Sequence, residues 1–202
     1  MTHNPTVFVV DDDEAVRSSL RWLIESTGQV VETYASAPDF LAAYAGGRPG
    51  CLLLDVRMPQ MGGLDLQKKL AEHPIPIPII FISAHATVPV AVRAMRYGAV
   101  DFFTKPFDNQ ALLDRLGECV QENARQWAES ARQNAVASRL ASLSAREREV
   151  MERVVAGQPN KVIAVELDLS IKTVEAHRAR MMEKMGATSL AELLHIALTL
   201  KP

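Results

Sequence analysis

The chain has 202 residues, of which 48 % are hydrophobic and 23 % charged, with a net charge of −2. That composition can bury a core and excludes a disordered tail, and no apolar run approaches the roughly eighteen residues of a membrane helix. No basic segment leading into an apolar stretch opens the chain, and Cys51 and Cys119 fit neither a disulfide framework nor a zinc spacing, so the reading is a soluble cytoplasmic protein.

Residues 1–125 carry 11 basic and 15 acidic side chains, and residues 143–202 carry 9 and 8. Neither part is a basic polymer-binder, so contact with nucleic acid requires a local patch. Up to residue 108 a β-branched or apolar run repeatedly precedes an amphipathic stretch. The runs are Thr6–Val10, Val30–Tyr34, Cys51–Asp55, Ile79–Ser83 and Asp101–Thr104. Val16, Leu20, Leu23 and Ile24 suit the buried face of a first helix. Ser36-Ala-Pro-Asp39 is the N-cap signature of a second, and Val88 to Tyr97 reads as the fourth. Alternating strand and helix predicts an α/β domain: a five-stranded, doubly wound parallel sheet covered on both faces.

From Glu118 to Ala156 there is no Gly and no Pro, and Ala, Gln, Glu and Arg abound, which favours a long helix leaving the first domain as a linker. Leu113, Leu116, Val120, Trp127 and Ala131 form its predicted apolar stripe, which Asn123 and Ala124 weaken. Four short helices follow. Ser144-Ala-Arg-Glu147 is a capping box and Gly157 a stop; Pro159 opens the next helix, through Glu166. Asp168-Leu169-Ser170 is a tight turn, Ser170 caps a helix from Ile171 to Met185, Gly186 ends it, and Ser189-Leu-Ala-Glu192 caps the last. The predicted organisation is residues 1–122, a helical linker 123–142, and an all-α four-helix domain 143–202.

Polar residues fall at the carboxyl ends of the predicted strands: Asp11, Asp12 and Asp13 after the first, Asp55 on the third, Ser83 on the fourth, Lys105 after the fifth. Ligands of open parallel sheets bind at that edge. Crowded carboxylates need a cation, and hard oxygen donors suit Mg²⁺. A positioned carboxylate such as Asp55 can form an acyl phosphate, its added charge offset by Mg²⁺ and Lys105 while Ser83 donates to an oxygen. Taken singly, Asp13 is a helix cap, Lys105-Pro106 a common loop dipeptide, and Phe102 core, switch or both. Their joint placement at four strand ends points to a functional pocket.

Through Asp11-Asp12-Asp13, Leu54-Asp55-Val-Arg-Met-Pro59, Ile82-Ser83-Ala84-His85 and Lys105-Pro106-Phe107, residues 5 to about 120 resemble a receiver domain of two-component signalling, with its flavodoxin-like fold. The resemblance implies that Asp55 is the phosphoacceptor. Asp11, Asp12, Asp55 and the backbone carbonyl of Arg57 would hold Mg²⁺. Lys105, in a cis Lys105-Pro106 unit, would pair with the phosphoryl group. Ser83 and Ala84 would contact the phosphate, and Phe102 stands for the switch aromatic. Many receivers carry Thr and Tyr where Ser83 and Phe102 stand; hydroxyl and ring are both kept. Val88, Val92, Met95, Arg96, Asp108 and Ala111 lie in the surface that pairs two receivers. The implied partners are a sensor histidine kinase, promoter DNA, a second copy on phosphorylation, and RNA polymerase. The only reactions implied are the receiver's own phosphotransfer and dephosphorylation.

In the last domain Val162, Ile163, Ala164 and Leu167 are expected to pack one helix against Val174 and Met181 of the next, as in a helix-turn-helix. The outward face from Lys172 to Lys184 carries Lys172, Arg178, Arg180 and Lys184 against Glu175 and Glu183. The N-terminal part of such a helix enters the major groove, which selects Lys172, Thr173, Glu175, Ala176 and Arg178, with Lys161, Arg180 and Lys184 as further DNA contacts. Glu175 can accept from cytosine N4. His177 is open between a packed, a solvated and a DNA-contacting role. Leu143-Ser-Ala-Arg-Glu-Arg-Glu-Val150, Gly157-Gln-Pro-Asn-Lys-Val-Ile-Ala164 and Ser170-Ile-Lys-Thr-Val-Glu-Ala-His177 resemble the LuxR-type module over 143–200. Pro159 replaces a small polar residue common there. The whole chain is similar to the FixJ branch of the NarL/FixJ response regulators, and the resemblance implies phosphorylation-dependent control of transcription. Two other readings stand beside it: a protein-interaction regulator that does not read DNA, favoured by Glu175 and the near-neutral charge, and a Mg²⁺-dependent phosphohydrolase, which Val56 and Arg57 leave without an acid after Asp55.

Overall fold

The computed structural model describes residues 4–44, 48–72 and 77–198; the outer ends of the two predicted domains, 1–3 and 199–202, lie outside the described residues. Contacts divide the chain into two units, Met1–Ala128 and Glu129–Pro202.

In the first unit β1 (Thr6–Val10), β2 (Val30–Tyr34), β3 (Gly50–Asp55), β4 (Ile79–Ser83) and β5 (Asp101–Thr104) form one parallel sheet in the order β2-β1-β3-β4-β5. These are the five predicted runs, with β3 one residue longer. Helices α1 (Glu14–Glu25), α2 (Ala37–Ala43), α3 (Gly63–Leu70) and α4 (Val88–Arg96) connect them, and α5 (Asn109–Ala141) supplies residues to both units. The central strands β1, β3 and β4 are buried along their whole length, as a sheet covered on both faces requires. Alternation along them sends Phe8, Val10, Leu52, Leu54 and Phe81 into one layer with Phe40 and Leu66, and Val7, Val9, Cys51, Leu53 and Ile80 into another with Leu20, Ile24, Leu112 and Leu116. The first layer is aromatic: Phe40 lies 5.7 Å from Phe8, 5.4 Å from Tyr34 and 5.0 Å from Tyr44 between ring centres.

The predicted caps form. Asp13 Oδ1 accepts from the N–H groups of Ala15 and Val16, and Ser36 Oγ from that of Asp39. The predicted stripe of α5 needs correction. Leu112, Leu116, Cys119, Val120 and Asn123 are the buried residues, Leu113 and Trp127 are half-buried, and Ala131 is exposed. Asn123 does not weaken the face, because its Oδ1 accepts the N–H of Gly50 (2.9 Å) where β3 begins.

α3 was not singled out by the sequence, and its first residue decides how closely it approaches the sheet. A Cβ on Gly63 would stand 2.3 Å from the carbonyl oxygen of Asp55 and 2.9 Å from the Phe81 ring. Gly63→Ala is therefore expected to destabilise this unit by about 1–3 kcal/mol through overpacking, read as a lower denaturation midpoint by tryptophan emission. Unchanged stability would mean that α3 shifts freely.

In the second unit α6 (Ala145–Val155), α7 (Asn160–Glu166), α8 (Ile171–Met185) and α9 (Leu190–Leu198) enclose Leu143, Val150, Val154, Ile163, Val174, Met181, Met185 and Leu193. This is the expected four-helix arrangement. The Ser144–Glu147 capping box is complete, Ser170 Oγ accepts from the Thr173 N–H, and Gly186 ends α8 at φ 67°, the left-handed conformation that favours glycine. In the α7–α8 turn Asp168 is also left-handed, at φ 53°. Ile163, Ala164 and Leu167 are buried as expected; Val162 is not, since it points away from the face that Ile163 and Leu167 share. No Phe, Tyr or Trp occurs after Trp127, so this core is wholly aliphatic and thioether.

Candidate functional site

The strand ends converge as expected. Asp11, one residue past β1, is 1 % exposed, and Asp55, the last residue of β3, is 7 % exposed. Lys105, one residue past β5, reaches both: its Nζ lies 2.7 Å from Asp11 Oδ2 and 3.3 Å from Asp55 Oδ1. Three further hydrogen bonds position the pair. The Asp13 N–H donates to Asp11 Oδ1 (2.9 Å), Arg17 Nη1 donates to the Asp11 carbonyl (2.8 Å), and the Arg57 N–H donates to Asp55 Oδ2 (2.6 Å). Lys105-Pro106 is cis.

The charges do not divide evenly. Burial pushes the Asp55 carboxyl above its ordinary value; the Arg57 N–H opposes this, the Asp11 charge adds to it, and Lys105 only partly compensates. Burial also works against the Lys105 ammonium, but its bonds to Asp11 and then Asp55 outweigh that and raise its pKa. The shorter bond goes to Asp11, so Asp55 is the less compensated carboxylate.

Ser83 is buried beside them, with Oγ accepting the His85 N–H (3.2 Å), and Ala84 is exposed. Phe102 is half-buried in the aromatic layer, stacked 6.1 Å from Phe81. Asp12 is exposed and Asp13 is spent as the cap of α1. Among the described residues no three His, Cys, Asp or Glu side chains are gathered into a metal cage; the structure brings Asp11 and Asp55 together and leaves Asp12 outside the pair.

On the next face, Val88 (78 % exposed), Val92 and Met95 form an apolar stripe along α4, with Arg96 exposed beside it. Asp108 Oδ1 accepts the Ala111 N–H at the start of α5. Tyr97, absent from the predicted set, is half exposed where α4 ends, with Lys68 and Arg93 over its ring. Trp22, also absent, stands 75 % exposed on α1 and lines a cleft with Val16, Leu20, Pro106 and Phe107.

In the second unit the exposed positions of α8 are Ile171, Lys172, Glu175, Ala176, Ala179, Arg180, Glu183 and Lys184, which recur at helical spacing. Lys161 is exposed on α7. Three predicted DNA contacts are engaged within the domain. Arg178 Nη1 donates to Asn160 Oδ1 (2.9 Å), the Thr173 hydroxyl joins Ser170 Oγ (2.7 Å), and Lys184 Nζ donates to Glu147 Oε2 (2.7 Å) and the Ser142 carbonyl (3.1 Å). His177 is half-buried. Ala179, absent from the predicted set, is exposed one turn beyond Ala176.

Glu147 thus links α6 to α8 as well as closing its own cap. The Lys184 ammonium, then the Ser144 N–H, hold its carboxyl down from the ordinary 4.5 to about 2. A carboxyl that is the stronger acid when folded contributes fully above about pH 4.5, and that contribution disappears as pH falls toward 2. Glu147→Ala is expected to cost about 2 kcal/mol at neutral pH, the cap and a charged hydrogen bond discounted because Lys184 keeps partial access to water. Methionine-methyl NMR of the full chain measures this, and a deficit that persists unchanged at pH 2 would assign it to packing instead.

Comparison with known proteins bears on both units. Residues 7–117 match the response regulator receiver domain, and residues 141–197 the bacterial regulatory proteins of the luxR family. The transcriptional regulatory protein FixJ of Bradyrhizobium diazoefficiens is 44 % identical over 202 residues, covering 98 % of this chain and 97 % of that protein. The chain belongs to the FixJ-like response regulators. The response regulator protein TodT of Pseudomonas putida is 43 % identical over 195 residues, covering 96 % of this chain and 86 % of TodT. The solved structure of the response regulator StyR matches at 44 % identity with a TM-score of 0.90, over 96 % of this chain and 98 % of StyR. This FixJ-like transcriptional regulator therefore joins a receiver to a LuxR-type DNA-binding domain, the make-up of a family with which phosphorylation-dependent regulation is consistent. Receivers take phosphoryl groups from histidine kinases and generally bind Mg²⁺, and the LuxR-type module binds DNA.

Proposed function

We propose that Asp55 is the phosphoacceptor and that its phosphorylation, by a partner histidine kinase, raises the affinity of the exposed α8 face for promoter DNA. The bridge from Lys105 to Asp11 and Asp55 is the observation that supports this most. It gathers two buried carboxylates and a fixed cation at the edge of a parallel sheet where ligands enter, which supports Asp55 as the nucleophile. Arg57 N–H holds Asp55 Oδ2, so Oδ1 is the oxygen that attacks phosphorus. The O–P bond forms as the P–N bond of a phosphohistidine breaks, and the electron pair stays on the departing imidazole nitrogen. Lys105 then bonds a phosphoryl oxygen in place of Asp55 Oδ1. The Ser83 hydroxyl donates to another, and Phe102 follows it inward.

Two buried carboxylates already turned toward one cation are a donor set that fits a hard divalent ion, with Asp11, Asp55, the Arg57 carbonyl and Asp12 as its protein ligands. When bound, Mg²⁺ supplies neutralisation of the transferred charge. The cleft beside Trp22 adjoins Lys105 and suits an apolar helix of the kinase, and the stripe Val88, Val92, Met95 suits pairing with a second receiver. Lys172, Glu175, Ala176, Ala179 and Arg180 face the major groove, two small residues allowing close approach.

The test measures binding to duplexes enriched from a random pool by the phosphorylated protein. Acetyl phosphate with Mg²⁺ is expected to tighten binding by at least about tenfold, with log affinity falling as log salt rises. Equal affinity before and after phosphorylation would refute the coupling, and salt-independent binding would refute the DNA face.

A further inference from the structure

The chain has two cysteines, and the fold brings them together. Cys51 follows Gly50 on β3, and Cys119 precedes Asn123 by one turn on α5. The bond from the Gly50 N–H to Asn123 Oδ1 fixes helix against strand at this height, so the two sulfurs meet one turn along. Both thiols are free, both are buried in one core layer, and they hydrogen-bond to each other. Their surroundings differ. Cys51 is 0 % exposed, whereas Cys119 is 5 % exposed and lines a cleft of about 380 Å³ with Pro78, Val100, Arg115 and Glu118. Arg115 is anchored there by the Val100 carbonyl, Asp101 and Glu118. The Cys51 hydrogen bond lowers the Cys119 thiol against burial, Arg115 adds to it, and burial pushes Cys51 well up. A thiol that opens on a cleft beside an anchored guanidinium, next to a second thiol buried behind it, is the arrangement of an oxidant-responsive pair.

We propose that Cys119 is a hydroperoxide-sensitive thiol and Cys51 its resolving partner, so that oxidation joins α5 to β3 through a disulfide. The Cys119 thiolate attacks the terminal peroxide oxygen and the O–O bond breaks, giving a sulfenic acid and releasing water or an alcohol. The Cys51 sulfur then attacks Cys119 sulfur, its proton leaves with the departing hydroxide as water, and the S–S bond forms. The two thiols are oxidised by two electrons and one peroxide is reduced. No Asp55 chemistry enters, so the proposal is independent of the phosphoacceptor reading.

The experiment treats the full chain with hydrogen peroxide and maps peptides by mass. The expected result is a loss of about 2 Da confined to a linked pair of peptides carrying Cys51 and Cys119, restored by dithiothreitol. In Cys51→Ala, dimedone is expected to trap a sulfenic acid on Cys119, a label that methionine sulfoxide does not take; in Cys119→Ala no cysteine label forms. The native chain is expected to crosslink at least about tenfold faster than the chain in concentrated guanidinium. Two thiols that stay alkylatable after peroxide treatment, or a crosslink that forms faster in the unfolded chain, would overturn the proposal, and the wild-type result stands even if a variant fails to fold.

Discussion

Asp55→Asn is expected to take up no phosphoryl group from acetyl phosphate and Mg²⁺, while the wild-type chain gains a single adduct of about 80 Da by intact mass. The amide keeps an oxygen for the Arg57 N–H, so the loop stays in place and only the nucleophile is lost. Asp11 is the poorer acceptor, because it is the more buried of the two and takes the shorter bond from Lys105. The same variant has a stability signature. Burial, helped by Asp11, raises the Asp55 carboxyl above 3.8 in the folded chain. The folded site then binds its proton more tightly than the unfolded chain does, so wild-type stability declines as pH rises through 3.8 toward the folded value. Asn has no such decline. Asp55→Asn is therefore expected to melt higher than wild type at neutral pH, with the gap closing below 3.8. An undiminished adduct in the variant would place the acceptor on another carboxylate.

Lys105→Met carries the second large effect. It leaves Asp11 and Asp55, both buried, facing each other without the ammonium that now bridges them. Breaking a buried pair by removing one partner costs about 3 kcal/mol, discounted here toward about 2 because Lys105 itself is one-fifth exposed. Phosphoryl uptake is expected to slow by about 100-fold, the scale for deleting one fixed donor to a developing anion. Lys105 lowers the Asp55 carboxyl, so its loss moves the pH of half-maximal uptake upward. Added Mg²⁺ is expected to raise the melting temperature of the variant more than that of wild type, because the variant has the larger unmet charge. Equal Mg²⁺ stabilisation of both chains would remove the carboxylates from the ion's binding site.

What the sequence disclosed follows from the range of the forces involved. Strands and caps rest on neighbours within a few residues, and the five runs, the Asp13 and Ser36 caps and the Ser144–Glu147 box all appear where their spacing placed them. The pocket was legible because strand ends share an edge in a parallel sheet. The misses are partnerships across long separations. Asn123 looked like a flaw in an apolar stripe, yet it answers a backbone donor 73 residues away. Lys184 and Arg178 looked like free cations, yet Glu147 and Asn160 hold them. Tyr97 and Trp22 were passed over because an apolar residue on a helix reads as core until the packing is known.

The C-terminal unit has an optical consequence. All eleven aromatic residues of the chain lie at or before Trp127, so its helices neither absorb near 280 nm nor fluoresce. A melt followed by tryptophan emission witnesses the first unit, through Trp22 on an exposed helix surface and Trp127 on α5. The DNA-binding half is visible instead through Met151, Met181 and Met185, whose methyl groups fill its core and give sharp signals of their own. Fluorescence and methyl spectra recorded on one sample would thus separate the two halves without cutting the chain.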